Sequence, residues 1–155
     1  AEIERQGLLG KDLFLSNALI DMYAKCGIIS KSRELFDELP FRDVISWTTV
    51  LNGYVEHGLS EQALKCFEEM QAACVSPNEI TFSSVLKACC SIGAFDKGRD
   101  LHKELVLKGL LNDSSIAVNL ISMYASWGYF QKHEIFSVCY QFEILHHGLD
   151  SYKDT

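Results

Sequence analysis

Four glycines punctuate the chain at nearly even intervals: Gly27, Gly58, Gly93 and Gly128, separated by 31, 35 and 35 residues. The same apolar frame surrounds each. Ahead of them run Leu19-Ile20-Asp21-Met22-Tyr23, Val50-Leu51-Asn52-Gly53-Tyr54, Val85-Leu86-Lys87-Ala88-Cys89 and Leu120-Ile121-Ser122-Met123-Tyr124. After them come Leu35-Phe36, Cys66-Phe67, Leu101-His102 and Ile135-Phe136, each with an apolar residue one turn further on. Both halves carry apolar residues at helical spacing over about three turns. A lone helical hairpin cannot bury its apolar face, so tandem hairpins must stack on one another. The period therefore predicts an all-α α-solenoid of about four stacked antiparallel helical hairpins, with the first helices lining one face.

Placing the turn glycine at position 15 sets the units at 13–43, 44–78, 79–113 and 114–144. Residues 1–12 then read as the second helix of a preceding unit and 145–155 as a tail, as expected for a segment of a longer array. Position 20 is small in three units, Ser32, Ala63 and Gly98, which would let the two helices of one hairpin approach closely. The fourth unit has His133 there and is degenerate. The two prolines, Pro40 and Pro77, fall between helical segments, where a helix breaker belongs.

A chain of 155 residues, 48% of them hydrophobic, can bury about two-thirds of its unfolded surface and needs no disulfide staples. Six cysteines without regular spacing read as reduced thiols in apolar helix positions. No apolar run reaches the roughly 20 residues that span a bilayer. Ala1-Glu2-Ile3-Glu4-Arg5 does not read as a signal peptide. The net charge of −7 argues against phosphate-driven nucleic-acid binding, which normally requires a basic surface.

The side chains decide among the helical-hairpin families. Asp43-Val44-Ile45-Ser46-Trp47-Thr48-Thr49-Val50-Leu51-Asn52-Gly53-Tyr54 closely resembles the first helix of pentatricopeptide repeat proteins, as does Asn17-Ala18-Leu19-Ile20-Asp21-Met22-Tyr23-Ala24-Lys25-Cys26-Gly27. The 31- and 35-residue units resemble the plant-type subclass of short, standard and long motifs, and the resemblance implies a right-handed α-solenoid. On that resemblance 13–43 is a short repeat, 44–78 a standard one, 79–113 a long one and 114–144 a degenerate short one. The resemblance implies single-stranded organellar RNA as partner, about one base per repeat, in mitochondria or chloroplasts. An RNA editing or processing effector protein is the implied second partner.

The resemblance also assigns residues. In this family the fifth and last positions of a repeat choose the base: Asn17 with Asp43, Thr48 with Asn78, and Ser83 with Asp113. Position 2 supplies the stacking residues Phe14, Ile45 and Ile80. Phosphate contact falls to Lys25; Lys11, Arg42 and Lys87 are further cations, for which a solvated surface role is the competing reading. An ionised Asp only accepts hydrogen bonds and suits U or G, whereas an Asn amide can donate and suits A or C. A small Thr or Ser at the fifth position leaves room for a purine. The three repeats are thus expected to read U, A and G, 5′ to 3′. The fourth, with Val118 and Ile144, is expected to read none. Capping stands as the alternative reading of Asp43, Asn78 and Asp113, each just ahead of a helix, and the two roles can coexist; core packing is the alternative at position 2.

Chemistry beyond binding finds little support. His102-Lys103-Glu104 matches half of a zinc-deaminase signature, but no P-C-x-x-C follows and the triplet lies inside a helical segment. The adjacent pairs Cys89-Cys90 and His146-His147 diverge on a helix and suit no common metal. The expectation is no enzyme, no cofactor, no metal, no membrane and no small-molecule substrate. Two other readings stay open: a protein-interaction scaffold, which the acidic charge favours, and a truncated, non-functional fragment.

Overall fold

The computed structural model describes residues 11–128, 136, 138–141, 143 and 144. The expectations placed on residues 1–10, on His133 and on the tail 145–155 lie outside the described residues. Among the described residues seven complete helices follow one another: α1 (Leu13–Lys25), α2 (Ile29–Asp37), α3 (Val44–Glu56), α4 (Ser60–Ala72), α5 (Glu79–Ile92), α6 (Phe95–Lys108) and α7 (Ser114–Ser126). The described residues from 136 to 144 are also helical. No strand occurs among the described residues, and none of their helices is long and apolar enough to cross a membrane. The chain divides into two compact units, Ala1–Thr81 and Phe82–Thr155, with the boundary inside α5.

Local chemistry starts and stops the helices. Asp12, Asp43 and Asp113 accept the N–H of Leu15 (3.2 Å), Ser46 (2.8 Å) and Ile116 (3.0 Å), each satisfying a donor that the first turn leaves unpaired. At the other end, Gly27 and Gly58 adopt φ of 80° and 72°. That left-handed turn lets Ile28 N–H reach Tyr23 O (2.9 Å) and Leu59 N–H reach Tyr54 O (2.8 Å), closing α1 and α3 and reversing the chain.

In the first unit α1 packs on α2 and on α3, and α3 on α4. Their apolar faces meet in a core of Leu19, Ile20, Leu35, Phe36, Trp47, Leu51, Phe67 and Met70, all buried. Ser32 donates its hydroxyl to Ile20 O at 3.0 Å, so the small residue at position 20 brings α2 against α1 within one hairpin. Arg33 of α2 ties Asp37 (3.0 Å) to Glu69 of α4 (2.7 Å). Burial pushes the Cys66 thiol up to about 12, which keeps it protonated and unreactive.

The second unit buries Phe82, Val85, Leu86, Leu101, Leu105, Ile116, Leu120, Met123 and Tyr124. Gly98 has a close neighbour outside its own hairpin. A Cβ there would collide with Met123 Sδ and come within 2.9 Å of the Trp127 ring, so its smallness serves the approach of α7 to α6. Trp127, which departs from the repeat pattern, fills that space edge-on to Phe95 (4.5 Å) and Tyr124 (5.1 Å).

Candidate functional site

Phe14, Asn17, Asp43 and Ile45 converge on one open pocket of about 580 Å³ in the first unit. Two of the four are apolar and turned outward: Phe14 is 84% and Ile45 56% exposed. Water is a poor neighbour for such surface, so a flat apolar partner between the two would be favoured. Asn17 is only 8% exposed. Its amide nitrogen makes a long 3.5 Å approach to Asp43 Oδ1, and its Oδ1 is buried without a partner.

Asp43 is held by three donors on the same oxygen. Ser46 N–H and the Ser46 hydroxyl each donate to Oδ1 at 2.8 Å, and the Asn17 amide adds the long contact. Burial pulls the carboxyl pKa upward. The Ser46 and Asn17 bonds and the Ile45 N–H outweigh it and hold the group below the ordinary carboxylate value. At neutral pH Asp43 is therefore ionised and only accepts.

The second repeat presents the same geometry through an intermediary. Asn78 Oδ1 accepts from Thr81 N–H (2.9 Å) and from the Thr81 hydroxyl (2.8 Å), and Asn78 N–H returns a bond to Thr81 Oγ1 (3.2 Å). The Thr48 hydroxyl lies 2.7 Å from the same Thr81 oxygen. Thr48 and Thr81 are buried, whereas Ile80 is 60% exposed. Thr48 and Asn78 thus meet through Thr81, without a direct bond.

The third repeat is built differently. Asp113 accepts from Ile116 N–H, while Ser83 pairs with Ser115 (2.9 Å) and receives the Asn119 amide (2.5 Å). No hydrogen bond joins Ser83 to Asp113 among the described residues. In the fourth, Val118 and Ile144 are exposed and apolar. Sequence reasoning missed Ser46, Thr81, Ser115 and Asn119. The signal for the first two was a hydroxyl residue three places after the cap.

The cations are largely committed to the protein itself. Lys25 Nζ sits 2.6 Å from Asp21 Oδ2, whose hydrogen bond and charge hold the ammonium above its ordinary pKa. Arg42 closes the end of α2 by donating to Phe36 O (3.0 Å) and Asp37 O (2.6 Å). Lys11 and Lys87 are exposed. The deaminase-like triplet is engaged elsewhere: His102 Nδ1 meets the Tyr124 hydroxyl (2.8 Å), Lys103 pairs with Asp100 and Glu104 with Lys108. Among the described residues no cluster of His, Cys, Asp or Glu is placed to hold a metal. Burial pushes the Cys89 thiol up to about 11. His146 and His147 lie outside the described residues.

Residues 14–44 and 80–110 match the PPR repeat model, and residues 42–91 match the model of the PPR repeat family. The matches run without a gap from residue 14 to residue 110, well over half of the chain. The chain belongs to the PPR repeat family. Among its relatives is a chloroplastic pentatricopeptide repeat-containing protein of Arabidopsis thaliana, 42% identical over 93% of this chain and 19% of its own length. A mitochondrial one from the same plant is 45% identical over 61% of this chain and 12% of its own length. This PPR chain therefore spans a fifth or less of these curated relatives. The crystal structure of the pentatricopeptide repeat protein PPR10 from maize superposes with a TM-score of 0.68, at 26% identity, over 97% of this chain and 22% of its own. PPR10 has also been solved in complex with an 18-nt psaJ RNA element. The all-α fold is thus that of an α-solenoid of helical hairpins.

Proposed function

We propose that this PPR chain is a single-stranded RNA-binding module of an organellar RNA-processing or editing factor, reading one base per repeat. The observation that carries the reading is the first-repeat pocket. There, two outward apolar side chains, Phe14 and Ile45, flank a polar pair, Asn17 and an ionised Asp43. A base stacked between the apolar groups would present its Watson–Crick edge to the pair, and an acceptor-only carboxylate favours the N3–H of uracil. At the second repeat the Asn78 amide offers donors that suit the N1 of adenine. Ser83 and Asp113 are assigned guanine, and the degenerate fourth repeat no base. The PPR10–RNA complex and the chloroplastic and mitochondrial relatives support the RNA partner and the organelles. An editing or processing effector bound elsewhere in the array completes the proposal.

Binding on this scheme rests on stacking more than on phosphate neutralisation, which reconciles it with the net charge of −7. Stacking supplies about 1–3 kcal/mol per base, while association costs several kcal/mol. Three reading repeats should bind with a Kd of roughly millimolar to high micromolar. The test is fluorescence anisotropy at low salt with a labelled single-stranded RNA containing UAG, free or annealed to its complement. The single strand is expected to bind and the duplex not, because pairing occupies the edge to be read. Equal binding of both, or of neither, overturns the proposal and favours the protein-interaction scaffold to which the acidic charge points.

A further inference from the structure

We propose that Thr81, a fully buried residue that touches no base, is a positioning residue for base choice at the second repeat. The inference rests on the RNA-reading assignment of Thr48 and Asn78 above.

Hydrogen-bond valence orders the groups around Thr81. A backbone N–H can only donate, so the 2.9 Å bond from Thr81 N–H fixes which end of the Asn78 amide is oxygen. The Thr81 hydroxyl lies 2.8 Å from that same oxygen and has one hydrogen to give. Asn78 N–H, itself only a donor, already fills one of the hydroxyl's acceptor positions at 3.2 Å. Thr48, 2.7 Å away, fills the other by donating its own hydrogen. Every hydrogen in the chain Thr48, Thr81, Asn78 then has one direction. With its acceptor positions filled, the Thr81 hydroxyl cannot receive a flipped amide, and the Asn78 NH2 is left as the group available to a ligand. Without the hydroxyl, the Asn78 amide oxygen accepts one hydrogen bond instead of two, and Thr48 loses its tie to it.

The neighbouring repeats make the device specific. Ser46 stands at the matching place, three residues after Asp43, and gives the same paired N–H and O–H bonds to one carboxylate oxygen. After Asp113 the matching residue is Ile116, which offers its N–H alone. Thr81 therefore acts through Asn78, and the third repeat lacks a counterpart.

The experiment measures the Kd of the 155-residue chain for two single-stranded RNAs that differ only in A or G at the second base. It is repeated for Thr81→Val, which removes the hydroxyl at nearly constant volume, and for Thr81→Ser, which keeps it. The readout is the ratio of the two affinities, which a loss of folded protein would not change. Wild type should favour A. Thr81→Val should lower the ratio about fivefold, the scale of one lost hydrogen bond, and Thr81→Ser should restore it to within about twofold of wild type. A ratio untouched by Thr81→Val, or lost equally in Thr81→Ser, overturns the positioning role and leaves the base reading standing. No preference between A and G in the wild type overturns the reading, and this inference with it.

Discussion

Phe36→Ala is expected to destabilise the chain by about 3–5 kcal/mol, the cost of removing a large aromatic side chain from a packed interior. Phe36 is fully buried at the end of α2. Its ring meets Trp47 of α3 edge to face at 4.7 Å, and the guanidinium groups of Arg33 and Arg42 lie over it at 5.3 and 5.0 Å. No neighbour can collapse into the hole without giving up another contact. Arg33 is held by Asp37 and Glu69, and Arg42 by the carbonyls of Phe36 and Asp37. The same ring supports the short linker from α2 to Asp43, so the loss also loosens the first-repeat pocket. Urea denaturation followed by helical circular dichroism measures the effect. A change under about 1 kcal/mol would mean that α2 and α3 do not share the core described.

Asn78→Asp is expected to move the preferred second base from A to G, with the affinity ratio shifting about tenfold or more, the scale of one well-placed base contact. The substitution keeps the cap, since Asp serves α5 as well as Asn does. Thr81 N–H and its hydroxyl can hold one carboxylate oxygen as they now hold the amide oxygen. What changes is the outward group: a donating NH2 becomes an accepting oxygen. Adenine N1 loses its donor, and guanine N1–H gains an acceptor. Paired titrations of A- and G-containing RNAs provide the measurement. An unchanged ratio would leave Asn78 as a cap and nothing more.

Much of this architecture is legible in the order of residues. The turn glycines, the apolar frame and the acidic or amide residues ahead of α3, α5 and α7 reflect contacts within one hairpin, where sequence spacing and spatial distance coincide. The ion pair of Lys25 with Asp21 was also open to view, since the two stand four residues apart on one helix. Contacts that join one hairpin to the next were not. Gly98 looks like a spacer for its own hairpin, yet the atoms nearest its missing side chain belong to Met123 of the following helix and to Trp127 just past its end. Thr81 and Ser46 can be read from sequence as partners in capping. That Thr81 also meets Thr48, 33 residues earlier, is a contact between distant segments of the chain, which no local pattern encodes.

The most direct test of the account is whether this chain reads an ordered set of bases. Single-stranded RNAs of one length and composition, carrying UAG, GAU or a scrambled core in a neutral flank, would be titrated against the chain at low salt. The tightest binding is expected to UAG in the 5′ to 3′ direction, with the reversed and scrambled cores weaker. Equal affinity for all three would contradict it, because stacking between Phe14, Ile45 and Ile80 tolerates any base and only the polar pairs distinguish their order.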